Sequence, residues 1–418
     1  MQINELFKVI DSRKNELFEL LSSLVKINSE SFKSHGNEEE IARYLFGLCE
    51  DLGLETEIYS PLDVDGFTEH PDYMEGSGLE NRYNVSAVWR GKEDKNSLML
   101  MAHTDTVEIG DINNWNFDPL SGEIKDGKIF GRGSCDDKYA IATVLFVIKL
   151  LKEQGFVPKT NLIFSAYCDE EYGGSHGALA AVLKYPSSKI VSMDGRKNQI
   201  WHCGSGGQEV KYLFHTLESV DSARLTAEAI PVVLVAIEEF ADRRRFELSE
   251  NKFYAGTKIP RTALRYMGIR AGNNGTDLGS GEVYFVYYTD KPKEEIYDEF
   301  DVLHKKIAEK LLKLGIVGDG FKAATRFFHY VFCDPDSEGI TKMLEASQAA
   351  TGSKPIVCGS CLSDLSVISK YGSSDAFAFG AGSDFSEPGG AHQPNEFIEC
   401  DRLVNYAKTI AAYIADSQ

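Results

Sequence analysis

The stretch SLMLMAHTDTV, residues 97–107, runs from an apolar segment into a histidine and an aspartate two residues apart. Residues 97–101 have the length and apolar composition of a buried strand. His103 and Asp105 therefore stand where a strand ends, which is where α/β proteins place functional side chains. Three further acidic or histidine-bearing segments lie beside glycines or at the end of an apolar run. They are GRGSCDDK (131–138), CDEEYGG (168–174) and AHQPNE (391–396).

Composition limits the class of protein. A chain of 418 residues with 43% hydrophobic content predicts a well-packed protein of two domains. Its 64 acidic and 44 basic side chains leave a net charge of -20, which repels phosphate backbones and argues against a nucleic-acid partner. The eight cysteines are scattered through a long chain, which favours reduced thiols over disulfides.

No segment has the pattern of a signal or a membrane span. Charges interrupt residues 1–14, so they lack the apolar core of a secretory signal. The longest apolar run, residues 229–237, contains Pro231 and is far shorter than the roughly 20 residues that cross a bilayer. We expect a soluble, cytoplasmic protein with no membrane partner.

Strands and helices alternate in the first half of the chain. Helical spacing of apolar residues covers 6–25, 41–52 and 138–154, and strand patterns cover 55–59, 83–89, 97–101, 160–167 and 190–193. Such alternation is typical of an α/β fold with a mixed, mostly parallel sheet covered by helices.

The pattern changes after residue 203. Strands near 209–214 and 281–288 and helices near 222–243 and 293–314 predict a small inserted α+β domain, and the glycine-rich turn 315–320 ends it. The sequence therefore predicts one domain from residues 1–203 plus 318–418, interrupted by a second from 204–317.

The acidic and histidine residues fit the chemistry of a metal centre. Zinc prefers imidazole and carboxylate ligands, and a zinc pair needs a carboxylate that bridges both ions. Glu170 and Glu171 are consecutive, so one carboxylate can bind metal while the other takes a proton from water. Asp105 is placed to accept a hydrogen bond from the second imidazole nitrogen of His103.

Each segment also has a purely structural interpretation. His103 and Asp105 alone could form a hydrogen-bonded turn, and the acids of 131–138 suit a helix N-terminus. Paired glutamates are usually solvated. The order and spacing of the four segments, together with Asp194 after a strand, favour a functional site over these alternatives.

Taken as a set, the segments resemble those of the co-catalytic zinc peptidases and deacylases. This family includes glutamate carboxypeptidase, acetylornithine deacetylase, succinyl-diaminopimelate desuccinylase, aminoacylase, carnosinase and tripeptidase T. The resemblance covers nearly the whole chain and extends to Asn84-Val85 and Asp118-Pro119. It implies a zinc-exopeptidase-like fold in which residues 204–317 form a lid that often also makes a dimer contact.

The resemblance implies two Zn²⁺ ions, with Co²⁺ or Mn²⁺ as substitutes. It makes Glu170 the general base, Asp136 the bridging ligand, and the Asp136–Asp137 peptide cis. The implied ligands are His103, Asp136 and Asp194 for one ion, and Asp136, Glu171 and His392 for the other.

The resemblance is weaker for the residues that would contact substrate. His215 is the implied oxyanion donor, Asn273 or Asn274 the lid asparagine, and Ser363 belongs to a loop that resembles a substrate-binding segment. Residues 283–290 lack the arginine that relatives place there to hold a carboxylate. Alternative arginines in the predicted lid are Arg261, Arg265 and Arg270.

The predicted function is metal-dependent hydrolysis of an amide bond in short peptides or N-acyl amino acids. Asp194, rather than glutamate, at the variable ligand position favours short peptides with a free amino end. One alternative is a deacylase or carbamoyl-amide hydrolase of a non-peptide substrate. A more remote alternative is a non-catalytic binding protein of the same fold.

Overall fold

The computed structural model describes residues 3–217, 221–251, 253–254, 258–273 and 277–417. The longer helices are α1 (Ile3–Val25), α2 (Glu39–Asp51), α3 (Lys138–Glu153), α4 (His176–Lys184), α5 (Ser222–Glu250), α6 (Lys293–Leu312), α7 (Glu338–Thr351) and α8 (Cys400–Ser417). The strands are β1 (Ser31–Phe32), β2 (His35–Gly36), β3 (Glu55–Tyr59), β4 (Asn84–Trp89), β5 (Glu93–His103), β6 (Ile124–Lys125), β7 (Lys128–Phe130), β8 (Thr160–Tyr167), β9 (Lys189–Ser192), β10 (Gln199–Gly204), β11 (Gly206–Thr216), β12 (Leu264–Asn273), β13 (Asp277–Thr289), β14 (Ile316–Ala323), β15 (Val331–Phe332), β16 (Val357–Gly359), β17 (Asp375–Gly380) and β18 (Phe397–Glu399).

The chain divides into two compact units. The first comprises Met1–Cys203, Phe332–Cys358 and Val367–Gln418, and the second comprises Gly204–Val331 and Gly359–Ser366. The second unit thus continues past residue 317, where the sequence placed its end. The reason is β14, which pairs antiparallel with β11 and completes a sheet, although its glycines made residues 315–320 look like a closing turn.

The main sheet of the first unit has the order β15-β10-β17-β9-β5-β8-β4-β3, with β16 beside β10. Its central neighbours β17, β9, β5 and β8 run parallel. The flanking strands β10, β4 and β3 are antiparallel to their neighbours. This arrangement confirms the mixed, mostly parallel sheet that the sequence predicted.

Burial explains why these segments adopt these elements. All six residues of β4 are buried, and β8 is buried along nearly its whole length, as expected for strands covered on both faces. Helix α3 is buried over 13 of its residues and is apolar around most of its circumference, so it packs as a core helix. Its neighbours in the same core include α1 and α8.

The second unit has a four-stranded sheet of order β12-β13-β11-β14. Alternate residues of β11, namely Val210, Tyr212 and Phe214, are buried in a core that also contains residues of α5 and α6. The residues between them, Lys211 and Leu213, are only partly buried. One face of this sheet therefore carries the apolar core of the unit.

None of the helices among the described residues is long and apolar enough to cross a membrane. All eight cysteines are free thiols, and six of them are buried.

Leu100 of the central strand β5 is fully buried. We expect Leu100→Ala to lower the free energy of unfolding by about 2–5 kcal/mol, because it removes apolar contacts and leaves a cavity. Urea unfolding would measure the change. The matched variant Ile124→Ala, at a side chain that is 45% exposed, should change stability by no more than about 0.5 kcal/mol. Equal effects of the two variants would contradict this assignment of the core.

Candidate active site

Three of the predicted site segments follow neighbouring parallel strands. His103 is the last residue of β5, Glu170 and Glu171 follow β8, and Asp194 follows β9. Strand β5 lies between β8 and β9 and runs parallel to both. Because the carboxyl ends of parallel strands meet at one edge of the sheet, these side chains are brought together.

The two remaining segments are held beside this edge by loop contacts. Asp136 precedes α3, and the Asp136–Asp137 peptide is cis, as the resemblance implied. Glu396 fixes the two loops to each other. Its carboxylate accepts hydrogen bonds from Arg132 (2.7 Å) and from the main-chain N–H of Cys135 (2.9 Å).

Asp136 lies at the centre of the resulting cluster. Its two carboxylate oxygens contact different histidines: Oδ1 lies 3.0 Å from Nε2 of His103, and Oδ2 lies 3.4 Å from Nε2 of His392. Donor atoms of His103, Asp136 and Glu171 all lie within 4.8 Å of one another. The donor atoms are close enough to bind metal together.

The tautomer of His103 follows from its partners. Its Nδ1 lies 2.9 Å from the main-chain carbonyl of Asp105, which can only accept, so Nδ1 carries the hydrogen. In the neutral imidazole, Nε2 then presents a lone pair to the Asp136 carboxylate at 3.0 Å. Two lone pairs at this distance repel unless a proton or a metal cation lies between them. The geometry fits a metal ligand.

His392 presents a similar arrangement. Its Nε2 lies 2.7 Å from Oε2 of Glu171, yet this buried nitrogen has no hydrogen-bond partner within the described parts of the chain. The contact is therefore close without being aligned for N–H donation. A nitrogen in this position beside two carboxylates is suited to share a cation with them.

The charges of the cluster perturb one another strongly. Burial lowers the pKa of His392, but Glu171 and Asp136 outweigh it and raise the pKa to about 10. Burial raises the pKa of Asp194, and the charge of Asp136 raises it further. Asp194 therefore belongs to the same electrostatic site, and a divalent cation would relieve the repulsion among these carboxylates.

Asp105 acts differently from the sequence prediction. Its main-chain carbonyl, not its side chain, accepts from Nδ1 of His103, while the carboxylate Oδ1 lies 3.7 Å away. The carboxylate instead accepts the main-chain N–H groups of Glu170 (3.0 Å) and Glu171 (3.1 Å). Asp105 thus fixes the turn that carries both glutamates.

Glu170 lies on this turn, and its charge raises the pKa of His103. Its carboxylate is therefore electrostatically linked to the cluster. A carboxylate beside metal-binding side chains can take a proton from water.

The sequence-predicted substrate residues belong to the second unit. His215 is half-exposed on β11, and its Nδ1 lies 2.9 Å from Asp319. Ser363 is buried in the segment Gly359–Ser366, where its carbonyl accepts from Arg326. Arg270 is exposed and paired with Glu282. Asn274 lies outside the described residues, so its role, like that of His215 and Ser363, stays a prediction.

Several residues of the site carried no recognisable signal in the sequence. Arg82 is buried beneath the Glu170–Glu171 turn, and Arg132 and Glu396 order the loops around Asp136. Arg196 stacks on Phe385, which in turn packs against His392. Arg132 and Glu396 lay within segments that the sequence singled out, but their contacts were not predictable, because such contacts join distant parts of the chain.

The α/β fold and the buried imidazole and carboxylate donors define a metal-binding protein of the exopeptidase-like class. The chain belongs to peptidase family M20/M25/M40, whose family model matches residues 99–416. The resemblance to co-catalytic metallopeptidases and deacylases is thereby confirmed.

Individual relatives agree with this family. An uncharacterised metallohydrolase of Methanococcus maripaludis is 33% identical over 181 residues, which are 43% of this chain and 42% of that protein. The chain spans 39% and 24% of the length of two further curated relatives. The N-formyl-4-amino-5-aminomethyl-2-methylpyrimidine deformylase of Bacillus subtilis is 22% identical, covering 99% of this chain and 97% of that protein.

Solved structures share the fold. A metallo-carboxypeptidase of the same family from Sulfolobus solfataricus superposes with a TM-score of 0.72 at 20% identity, covering 96% of this chain and 98% of that chain.

Metal affinity should increase with pH. Histidine binds metal only as the neutral imidazole, and the raised pKa of His392, about 10, means that binding displaces a proton below that pH. We expect Co²⁺ affinity, measured by competition with a chelator, to rise about tenfold per pH unit for each proton displaced. The variant His392→Gln should show a slope lower by about one proton. An affinity independent of pH would contradict this description.

Proposed function

We propose that the protein is a metal-dependent amide hydrolase that cleaves short peptides or N-acyl amino acids. The observation that carries this proposal is the buried cluster at the carboxyl ends of β5, β8 and β9. It combines metal donors with a separate glutamate, Glu170, on the same rigid turn as Glu171. Membership of the peptidase family M20/M25/M40 supports the same reaction class.

We propose that the site holds two zinc ions, for which Co²⁺ or Mn²⁺ can substitute. Buried imidazole and carboxylate donors, and the lone pair of His103 aimed at Asp136, fit such ions. When bound, they supply Lewis-acid polarisation of the scissile carbonyl and lower the pKa of water. The proposed ligands are His103, Asp136 and Asp194 for one ion, and Asp136, Glu171 and His392 for the other.

Glu170 would act as the general base and then as the general acid. Its carboxylate takes a proton from the attacking water and delivers it to the leaving amine. Asp105 holds the main chain of Glu170 through both of its carboxylate oxygens, at 3.1 and 3.0 Å, and so orients the base. Asp105 also fixes the tautomer of His103 through its carbonyl. In this scheme Glu170 moves the proton, and Asp105 orients Glu170 and His103.

Arg196 is suited to hold the carboxylate of the substrate. Its guanidinium carbon lies 3.6 Å from the centre of the Phe385 ring, and that ring lies 4.5 Å from the ring of His392. The charge of Arg196 also acts on the pKa of Asp194. Stacking uses the face of the guanidinium, and its Nη1 lies 3.6 Å from Oδ2 of Asp384. A substrate carboxylate would bind along the edge of the guanidinium beside this ion pair.

We also propose that the second unit forms a lid and a homodimer contact, and that the protein works in the cytoplasm. Both proposals rest on the sequence resemblance and composition. Neither His215 nor Ser363 is needed for the proton transfers described above.

Glu170→Gln should abolish turnover while leaving metal content unchanged, because the amide keeps the shape of the side chain but cannot take a proton. The expected fall in kcat is at least about 10²-fold on a panel of dipeptides and N-formyl and N-acetyl amino acids. Glu171→Gln is the matched variant and should lower the bound metal measured by elemental analysis. Full activity of Glu170→Gln, or no turnover by metal-loaded wild type across the panel, would contradict the proposal.

Arg196→Gln should raise KM about 10- to 100-fold for substrates that end in a carboxylate, since a charge-assisted hydrogen bond is worth about 1.5–3 kcal/mol. KM for the corresponding carboxamides should change little. Lys197→Gln is a matched loss of one positive charge at the neighbouring side chain, which is 46% exposed and paired with Glu387. Steady-state kinetics that show equal effects on carboxylates and carboxamides would assign Arg196 a purely structural role.

A further inference from the structure

A buried ion network lies beneath the Glu170–Glu171 turn, with Arg82 at its centre. The Arg82 side chain is 1% exposed. Its Nε and Nη2 both donate to Oε1 of Glu38, the first over 2.7 Å. Its Nη1 donates to Oδ1 of Asp169 and its Nη2 to the hydroxyl of Ser31, each over 2.7 Å. One guanidinium therefore joins three separate parts of the chain.

The network reaches the catalytic turn through Asp105. Arg82 Nη2 lies 3.6 Å from Oδ2 of Asp105. That same oxygen accepts the main-chain N–H groups of both Glu170 and Glu171. The positive charge of Arg82 thus stabilises the carboxylate that holds the two glutamates in place.

The network reaches the turn a second time through Asp169, the residue before Glu170. Besides Arg82, the Asp169 carboxylate contacts Nδ1 of His176 over 2.6 Å, and its carbonyl accepts from the N–H of Ser175. Gly174 permits this close approach, because a Cβ there would lie 2.1 Å from Asp169 Oδ2. Asp169 adopts a left-handed conformation, with φ of 64°. Its side-chain contacts therefore determine the direction in which the chain enters the turn.

Charge compensation explains why an arginine stands here. Glu38, Asp105 and Asp169 are all buried, and an unpaired buried carboxylate is costly. The planar fork of arginine satisfies several acceptors at fixed angles, whereas lysine offers a single ammonium. A lysine at position 82 would keep the charge and lose the geometry.

We propose that Arg82 is a positioning residue that fixes Glu170 and Glu171 by supporting Asp105 on one side of their turn and Asp169 on the other. This proposal rests on the proposed function in assigning catalytic and metal-binding roles to the two glutamates. Arg82 is 1% exposed and is not a proposed metal ligand, so it acts through the geometry of the turn. Partners of this kind typically change metal affinity or activity by about 10- to 100-fold.

The test compares Arg82→Lys with wild type in the full-length protein. Three quantities are measured: Co²⁺ affinity with its visible absorption spectrum, native-state hydrogen exchange of the Glu170 and Glu171 amides, and kcat and KM. We expect about 10-fold weaker Co²⁺ binding with an altered spectrum, faster amide exchange, and a fall in kcat of about 10-fold or more with little change in KM.

Arg244→Lys is the matched control. Arg244 is also completely buried and also bridges two glutamates, Glu247 and Glu299, but it belongs to the second unit. The substitution Arg244→Lys should reduce the free energy of unfolding. It should not change the Co²⁺ spectrum or the hydrogen exchange of the Glu170 and Glu171 amides. The proposal would be overturned if Arg82→Lys kept the wild-type amide exchange, Co²⁺ spectrum and kcat. It would also be overturned if Arg244→Lys showed the same changes as Arg82→Lys.

A milder pair of variants is available if Arg82→Lys fails to fold. Ser31→Ala removes only the hydroxyl that accepts from Arg82 Nη2, whereas Ser29→Ala removes a buried hydroxyl with no hydrogen-bond partner among the described residues. Ser31→Ala should accelerate exchange of the two amides and Ser29→Ala should not; equal exchange in both would overturn the proposal. The exchange and Co²⁺ measurements need no substrate. A wild type that binds Co²⁺ but hydrolyses nothing would contradict the proposed function alone.

Discussion

The burial of several carboxylates at one edge of the main sheet is the constraint on which the rest of the site depends. Asp136, Glu171 and Asp194 interact electrostatically, and burial raises the pKa values of Glu171 and Asp194. Two histidines direct their Nε2 atoms at these carboxylates, so each contact needs a proton or a metal cation between the two atoms. Such a cluster is costly unless cations balance it. Metal binding therefore explains the types of donor atom in the cluster, their burial and their spacing.

The fold supplies this constraint through the parallel strands β5, β8 and β9, which end side by side. The carboxyl-terminal part of each strand is buried and mostly apolar, so its register is fixed, and the residues that follow it have little freedom. Hydrogen bonds then complete the positioning: Asp105 fixes the Glu170–Glu171 turn, and Glu396 fixes the loop before Asp136. The geometry of the cluster is thus a consequence of core packing together with a few buried polar contacts.

The sequence predicted the first unit well because its strands are continuous apolar runs and its helices have regular apolar spacing. It missed β12 and β14, which contain glycines and many polar residues. These strands are defined by their pairing, β12 with β13 and β14 with β11. The positions of His103, the Glu170–Glu171 pair and Asp194 were predictable from strand ends, whereas Asp136 and His392 lie in loops. The roles of the Asp105 carboxylate and of Arg82 could not be predicted, because these side chains hydrogen-bond to main-chain N–H groups and to side chains 44 to 87 residues away.

The most direct test of the central claim is an anomalous difference map from crystals of the zinc-loaded protein, recorded at the zinc absorption edge. Two peaks should appear on either side of Asp136, one also contacted by His103 and Asp194 and the other by Glu171 and His392. Peaks elsewhere, or no peak at Asp136 in a protein that retains its fold, would contradict the account.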